Sequence, residues 1–267
     1  MLMVVKRNLK YLIQCIKYNL LSAKEYKTSF VIQTIFMFIN NGFFLLFWII
    51  LFNANNNNLN GIQFTDILYL WSLPTIAYGI SYFIFGGTDY ISKNIISGQF
   101  DMYLLYPKHP LISIVTSRSD FSASGDLLYG LIIGLFATGF NMQSYLLLII
   151  FSMFGSLFFV FSNIIVHMLS IWFGDVTDVA TLYKDNLLIN FSIYPEVIFN
   201  KFLKTVLYTV IPVAYIAYVP IKLIQYFTIQ NLLLFLGMLI IYIVISVVIY
   251  NVGMKKYESG NGIMLRE

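Results

Sequence analysis

Long apolar runs alternate with a few short polar stretches along this chain. A helix needs about 20 apolar residues to cross a bilayer. Runs that approach or exceed that length cover residues 30–52, 67–85, 145–173 and 232–250, and a shorter one covers 127–140 and extends upstream to Phe121 if needed. Pro74 and Gly79 inside the second run predict a kink. Residues 174–225 read two ways. In one, about 176–194 cross the membrane and 195–220 form a re-entrant hairpin punctuated by Pro195, Pro212 and Pro220, which no simple spanning helix tolerates. In the other, everything to Lys204 stays inside and about 206–224 form the span, as charge counting favours. Either way the pattern predicts an all-α, polytopic membrane protein with six transmembrane helices, both ends on one side, folded as one domain over 1–267.

The polar stretches differ in kind. Before the first run, Val5, Leu9, Leu12, Ile13, Ile16 and Leu20 fall on one helical arc, while Lys6, Arg7, Lys10, Gln14 and Lys17 fall on a neighbouring one. Residues 1–29 therefore read as an amphipathic interfacial helix on the inner leaflet, or as a basic helix packed on a partner protein. Residues 53–63 are polar without Lys or Arg, as an outer loop should be. Six basic residues precede the first run, three lie within 86–120 and three in the tail, so twelve of sixteen mark the cytoplasmic side. The expected location is the cytoplasmic membrane, with both termini inside.

The stretch 86–120 is the long polar interruption of the first two thirds, yet it carries Ile91, Ile95 and Ile96 at helical spacing. Thr88 is placed to cap a short helix, Gly98 to end it, and Asp101 to cap a second turn that Pro107 stops. It reads either as a cytoplasmic docking element between two spans or as an ordinary ordered loop.

Composition removes several classes of function. At 59% hydrophobic and 10% charged residues the chain is far from the soluble norm. One cysteine, Cys15, excludes an internal disulfide and a cysteine-built metal site. The start lacks the pattern of a cleaved secretory signal, so the chain is expected to keep its N-terminus. No Gly-Lys pair occurs, so there is no phosphate-binding loop of the G-x-x-x-x-G-K-[ST] type, and H-E-x-x-H and G-x-S-x-G are absent as well. No catalytic residue and no metal ligand emerges; His109 and His167 have no acidic or thiol neighbours at ligand spacing. Asn40 and Asn41 at the middle of the first run, and Asn163 and His167 in the fourth, are candidates for a polar pathway; interhelical hydrogen bonding is the plainer account of them. Lys184 and Asp185 form a possible neighbouring pair. Twenty Tyr and twenty-five Phe offer cation–π faces, though aromatics also fill membrane cores.

Three segments in this order, IISGQFDMYLLYP (95–107), YPEVIF with IPVAY and VP (194–220), and GMKKYES (253–259), together with the six-run layout and the basic first helix, resemble the type-2 ABC transporter permeases of the exporter type. The likeness is greatest to the viologen- and drug-exporter branch and covers essentially the whole chain. Lys108 and His109 depart from the plainer continuation that the family leads one to expect. The resemblance implies that the loop between the second and third spans docks into a separate ABC ATPase subunit. That would place Ile95, Ser97, Gly98, Gln99, Phe100, Asp101, Leu104 and Pro107 at or beside the docking surface. It also implies a re-entrant outer hairpin, a second permease subunit as homodimer or heterodimer, two ATPase copies, and no cofactor of the permease's own, ATP being bound by the partner. The function so implied is multidrug efflux or export of another amphipathic substrate, with no nucleic-acid partner. A non-transporting immunity or sensor protein that sequesters an antimicrobial peptide, and an ion-coupled carrier, are the readings from other classes; several intramembrane charges and a repeated half, which carriers usually show, are missing.

Overall fold

The computed structural model describes residues 2–23, 27–55 and 61–258, and within the first helix the side chains from Lys10 to Leu21. The side chains of Val5, Lys6, Arg7 and Leu9 of the predicted amphipathic arcs, residues 56–60 of the outer loop and Ser259 of the closing motif lie outside these limits. The described residues are all-helical. Backbone groups have no water partner in a bilayer, and helices satisfy them within the segment.

The chain starts with α1 (Leu2–Ala23) and α2 (Lys27–Ala54), followed by α3 (Phe64–Phe85). α3 opens where the Gln63 backbone N–H donates to Asp66 Oδ2 at 3.0 Å, and it runs through Pro74 as one helix. A 3-10 turn (Gly86–Tyr90) leads to the short helices α4 (Ile91–Ile96), α5 (Phe100–Leu104) and α6 (Pro110–Val115), which make up the central polar stretch. Then come α7 (Ala123–Ala137), α8 (Met142–Met168) and α9 (Ser170–Phe173). Asn141 caps α8, its Oδ1 accepting from the Ser144 N–H at 3.0 Å.

α3 is the axis of the bundle. It packs on α7 and α8, α2 covers α7, and the last helix covers α8. Gly79 and Gly130 allow the α3–α7 approach: a Cβ on Gly79 would stand 2.7 Å from Leu127 Cβ, and one on Gly130 2.8 Å from Ile76 Cγ1. By contrast α2 turns Phe36, Ile39, Phe43, Phe47 and Ile50 outward, as a helix facing lipid or another subunit does.

Among the described residues four helices, Lys27–Ala54, Phe64–Ile96, Met142–Phe173 and Ile229–Lys256, are long and apolar enough to span a membrane, and a bent pair makes a fifth if taken as one. The third expected span is α7, only 15 residues, about 22 Å at 1.5 Å per residue. It is short because it starts deep: Ser124 meets Thr34, well inside α2, at 3.4 Å.

The region after Gly174 begins with α10 (Thr177–Leu182), continues as a π-helix (Tyr183–Ile189) and ends as α11 (Asn190–Ser192). Next come α12 (Lys201–Thr209), α13 (Val213–Ile216) and α14 (Tyr218–Gln225), with a 70° bend between α12 and the α13–α14 limb. Lys222 Nζ meets Glu196 Oε2 at 2.9 Å and Gln225 Nε2 donates to Asp66 Oδ1 at 3.0 Å, so both limbs open at the Asp66 end. The Tyr242 hydroxyl donates to the Val210 carbonyl at the bend, at 2.7 Å. The bend falls at Pro212, so 206–224 is not one straight helix. The chain closes with α15 (Ile229–Lys256).

α1 is seated on the central stretch through Cys15 and Asn19. Ile13, Leu20 and Leu21 are exposed, whereas Asn19 Nδ2 donates to Ser119 Oγ at 3.0 Å and Thr116 Oγ1 to Cys15 Sγ at 3.8 Å. The half-buried edge of the helix thus carries Leu12, Cys15, Ile16 and Asn19, and the other described side chains of its apolar arc are exposed.

Candidate functional site: docking tip, ion pair and cavity

The central stretch folds as a packed base with a projecting tip. Ile91, Ile95, Phe100, Ile114 and Val115 form one core with Val160, Ile164 and Met168 of α8 and Tyr250 of α15. Ile95 and Phe100 are therefore not surface residues. Of the residues expected at a docking surface, Ser97, Gln99, Leu104 and Pro107 are exposed, and Gly98 and Asp101 are half-buried. Gly98 has φ +72°, left-handed backbone that favours glycine. Around the tip, Met102, Leu104, Leu105 and Tyr106 face outward, Leu105 at 86% exposure. The base anchors this apolar tip firmly. The Phe100 ring lies 5.4 Å from that of Tyr257, and the Tyr257 hydroxyl donates to Asp101 Oδ1 at 2.8 Å. Burial, reinforced by the Asp101 carboxylate, holds the Tyr257 phenol above its ordinary range. On the other flank, Ser92 Oγ donates to Asp175 Oδ1 at 3.2 Å. The Thr177 hydroxyl and N–H also donate to Asp175 and keep its carboxyl below the usual carboxylate range.

Next to the base lies a half-buried ion pair. Lys184 Nζ sits 2.7 Å from Asp89 Oδ2, and 4.9 Å from the centre of the Tyr82 ring. Asn163 Nδ2 donates to Asp89 Oδ1 at 2.5 Å and to the Tyr82 hydroxyl at 2.9 Å. The expected Lys184–Asp185 neighbour pair is thus replaced by Lys184–Asp89, because the helix turns the two side chains apart and Asp89 is brought opposite. His167 is buried in the same part of α8, its Nδ1 without a hydrogen-bond partner. Among the described residues no group of three or more His, Cys, Asp or Glu is placed to hold a metal ion.

The four expected pathway residues divide. Asn163 and His167 belong near the ion pair, while Asn40 and Asn41 line a separate cavity of about 520 Å³ bounded by α2, α3, α7, α8 and the end of the π-helical segment. Asn41 is buried and donates from Nδ2 to Asp126 Oδ1 at 2.7 Å; the Tyr129 hydroxyl donates to the Asn41 carbonyl at 3.2 Å. Phe44 and Trp71 stack on the cavity wall at 4.3 Å between centroids. Asp89 and Asp126 are absent from the sequence-derived candidates. Both sit at the edge of an apolar run, Asp126 immediately before Leu127, and an acidic residue bordering a short span was the available signal.

An exposed apolar tip on a packed base beside long apolar helices accords with the resemblance to ABC permeases. A family model described as ABC-2 family transporter protein matches residues 38–261. The chain belongs to the ABC-2 transporter family. This ABC-2 protein is accordingly a membrane permease component of an ABC transporter, the transmembrane part and not the ATPase. No curated protein and no solved structure matches it.

Proposed function

We propose that this ABC-2 chain is the permease subunit of an ATP-driven exporter of the cytoplasmic membrane, moving an amphipathic, drug-like substrate with ATP bound and hydrolysed by a separate subunit. The observation that carries the reading is the apolar tip of Met102, Leu104, Leu105 and Tyr106, exposed although Ile91, Ile95, Phe100, Ile114 and Val115 of the base beneath it are buried. Exposed apolar groups on a fixed base suit a protein partner. Two ATPase copies and a second permease, identical or a sister chain, complete the transporter, and the outward α2 face is the surface available to that second permease. In this arrangement both termini lie in the cytoplasm, α7 and the 177–192 segment complete six spans, and 195–225 is a re-entrant outer hairpin.

The mechanism follows from three attachments. ATP-driven closure of the ATPase pair moves the tip, and Phe100 passes that movement to α8 and α15 through the shared core. Asp89, four residues beyond α3, passes it to Lys184. The segment carrying Lys184 ends in Ile189, Asn190, Ser192 and Ile193, which line the cavity. The cavity then switches between two packings, as tightly packed helix interfaces do.

The test is co-purification of the tagged permease with a candidate ABC ATPase from the same organism, comparing wild type with Leu105→Asp. Leu105 makes the least packing contribution of the tip, so the variant keeps the wild-type elution profile and loses the ATPase. Retention of the ATPase by Leu105→Asp, or its absence with wild type, rejects the docking assignment.

A further inference from the structure

At the Lys256 end of α15 lies a second cavity, of about 540 Å³. Gly253 lets the helix lie close against α9 there, since a Cβ at that position would stand 2.8 Å from Ile171 Cδ1. Just beyond that contact, Lys255 and Lys256 line the cavity together with Trp172 and Ile95. Both lysines are exposed, and neither makes an ion pair with a described residue. Among the described residues Glu258 is the single acidic one lining the cavity, so positive charge prevails. An apolar track leads to the same place. Ile241, Ile245, Val248 and Val252 of α15 are exposed and recur at helical spacing, so they form one stripe. At about 3.6 residues per turn, Lys255 and Lys256 fall to either side of the line that it draws. Positive charge at the end of an apolar stripe matches a phospholipid, with its phosphate at the ammonium groups and a chain along the helix. Trp172 suits the same level, because membrane interfaces concentrate indoles. A soluble phosphate compound would use the lysines and leave the stripe bare.

We infer that this cavity binds the headgroup of an anionic phospholipid of the inner leaflet, Lys255 and Lys256 pairing with its phosphate and one acyl chain lying on the 241–252 stripe. The inference rests on the permease reading only for which leaflet supplies the lipid. An ethanolamine headgroup would bring a third cation to the two ammonium groups. A glycerol headgroup leaves the negative charge of its phosphate uncompensated and is therefore preferred. The site adjoins the docking tip, since Tyr257 also lines the cavity and its hydroxyl donates to Asp101 Oδ1.

The experiment is lipid titration of the delipidated, detergent-purified permease, with bound lipid counted by native mass spectrometry. No ATPase is present, so the result stands or falls independently of the docking test. The probes are phosphatidylglycerol, phosphatidylethanolamine with the same acyl chains, and glycerol 3-phosphate as the soluble counterpart. Wild type is expected to bind phosphatidylglycerol at least about tenfold more tightly than phosphatidylethanolamine. The double variant Lys255→Gln, Lys256→Gln is expected to lose that preference, while Lys201→Gln with Lys204→Gln, the same charge change on α12, keeps it. Phosphatidylethanolamine binding is expected to be equal in wild type and the Lys255, Lys256 variant, which shows that the variant keeps its fold and its apolar track. Equal binding of the two lipids by wild type, as expected if the lysines only complement the negative end of α15, overturns the inference. So does a preference that survives in the Lys255, Lys256 variant. Displacement of phosphatidylglycerol by a similar concentration of glycerol 3-phosphate overturns it too, since the ligand would then be a soluble phosphate compound.

Discussion

Asp89 and Lys184 are 95 positions apart in the chain and 2.7 Å apart in space. Their side chains are 30% and 13% exposed, so the pair lies between a surface bridge worth up to about 1 kcal/mol and a buried one whose breakage costs about 3–5 kcal/mol. Lys184→Met is therefore expected to destabilise the permease by about 2 kcal/mol, and the exchange Asp89→Lys with Lys184→Asp to recover part of that, in thermal unfolding of the detergent-purified protein. No recovery would mean that Asn163 and the Tyr82 ring, not the charges, fix the geometry. The partner of Lys184 was not legible from sequence, because proximity along the chain pointed to Asp185 and nothing local marks a contact 95 positions away. Asn41 was legible as a buried amide in need of a partner; Asp126, its partner, sat one residue outside the run drawn as a span. Ile95 and Phe100 were legible as important and misjudged in direction, since an apolar residue in a polar loop serves a docking face and a loop core equally well.

At the scale of elements, the α3–α7 seam is built by absent side chains. Leu at Gly130 would drive carbon atoms into Ile76 and the α3 backbone, which a bare Cβ already approaches to 3.0 Å at Ile76 N. Gly130→Leu is expected to cost at least about 1–3 kcal/mol through overpacking, read as a lowered unfolding temperature; Gly237→Leu, where an added Cβ meets nothing within 4 Å, is the control and should leave it unchanged. Equal effects would show that the seam is looser than the packing implies. The long helices were legible because runs above 20 apolar residues admit few other structures. α7 and the 177–192 segment were harder, since one starts below the level at which its neighbours enter and the other spends seven residues in a π-helix, a geometry that apolar periodicity does not encode. The break between α12 and the α13–α14 limb was legible from Pro212.

For the molecule as a whole, membership of the ABC-2 family was readable from the order of short motifs, since the match over 38–261 takes in the central stretch, the proline segment and the closing motif. What no local pattern showed is how unequally the helices share the interior. The Phe64–Ile96 run has a mean hydropathy of 1.4 with 78% of its apolar window buried, against 3.1 and 22% for Ile229–Lys256. The axial helix is thus the one least suited to lipid, and its surface is designed for neighbours that are synthesised mostly after it. α7 and α8, its main contacts, do not exist when α3 leaves the ribosome. Biogenesis should reflect this: in a glycosylation-mapping assay, α3 alone is expected to integrate less efficiently than α15 alone, and to gain when α7 and α8 follow it. The centre of the transporter is in this sense a late arrival, held near the insertion machinery until the chain that completes its surroundings has been made.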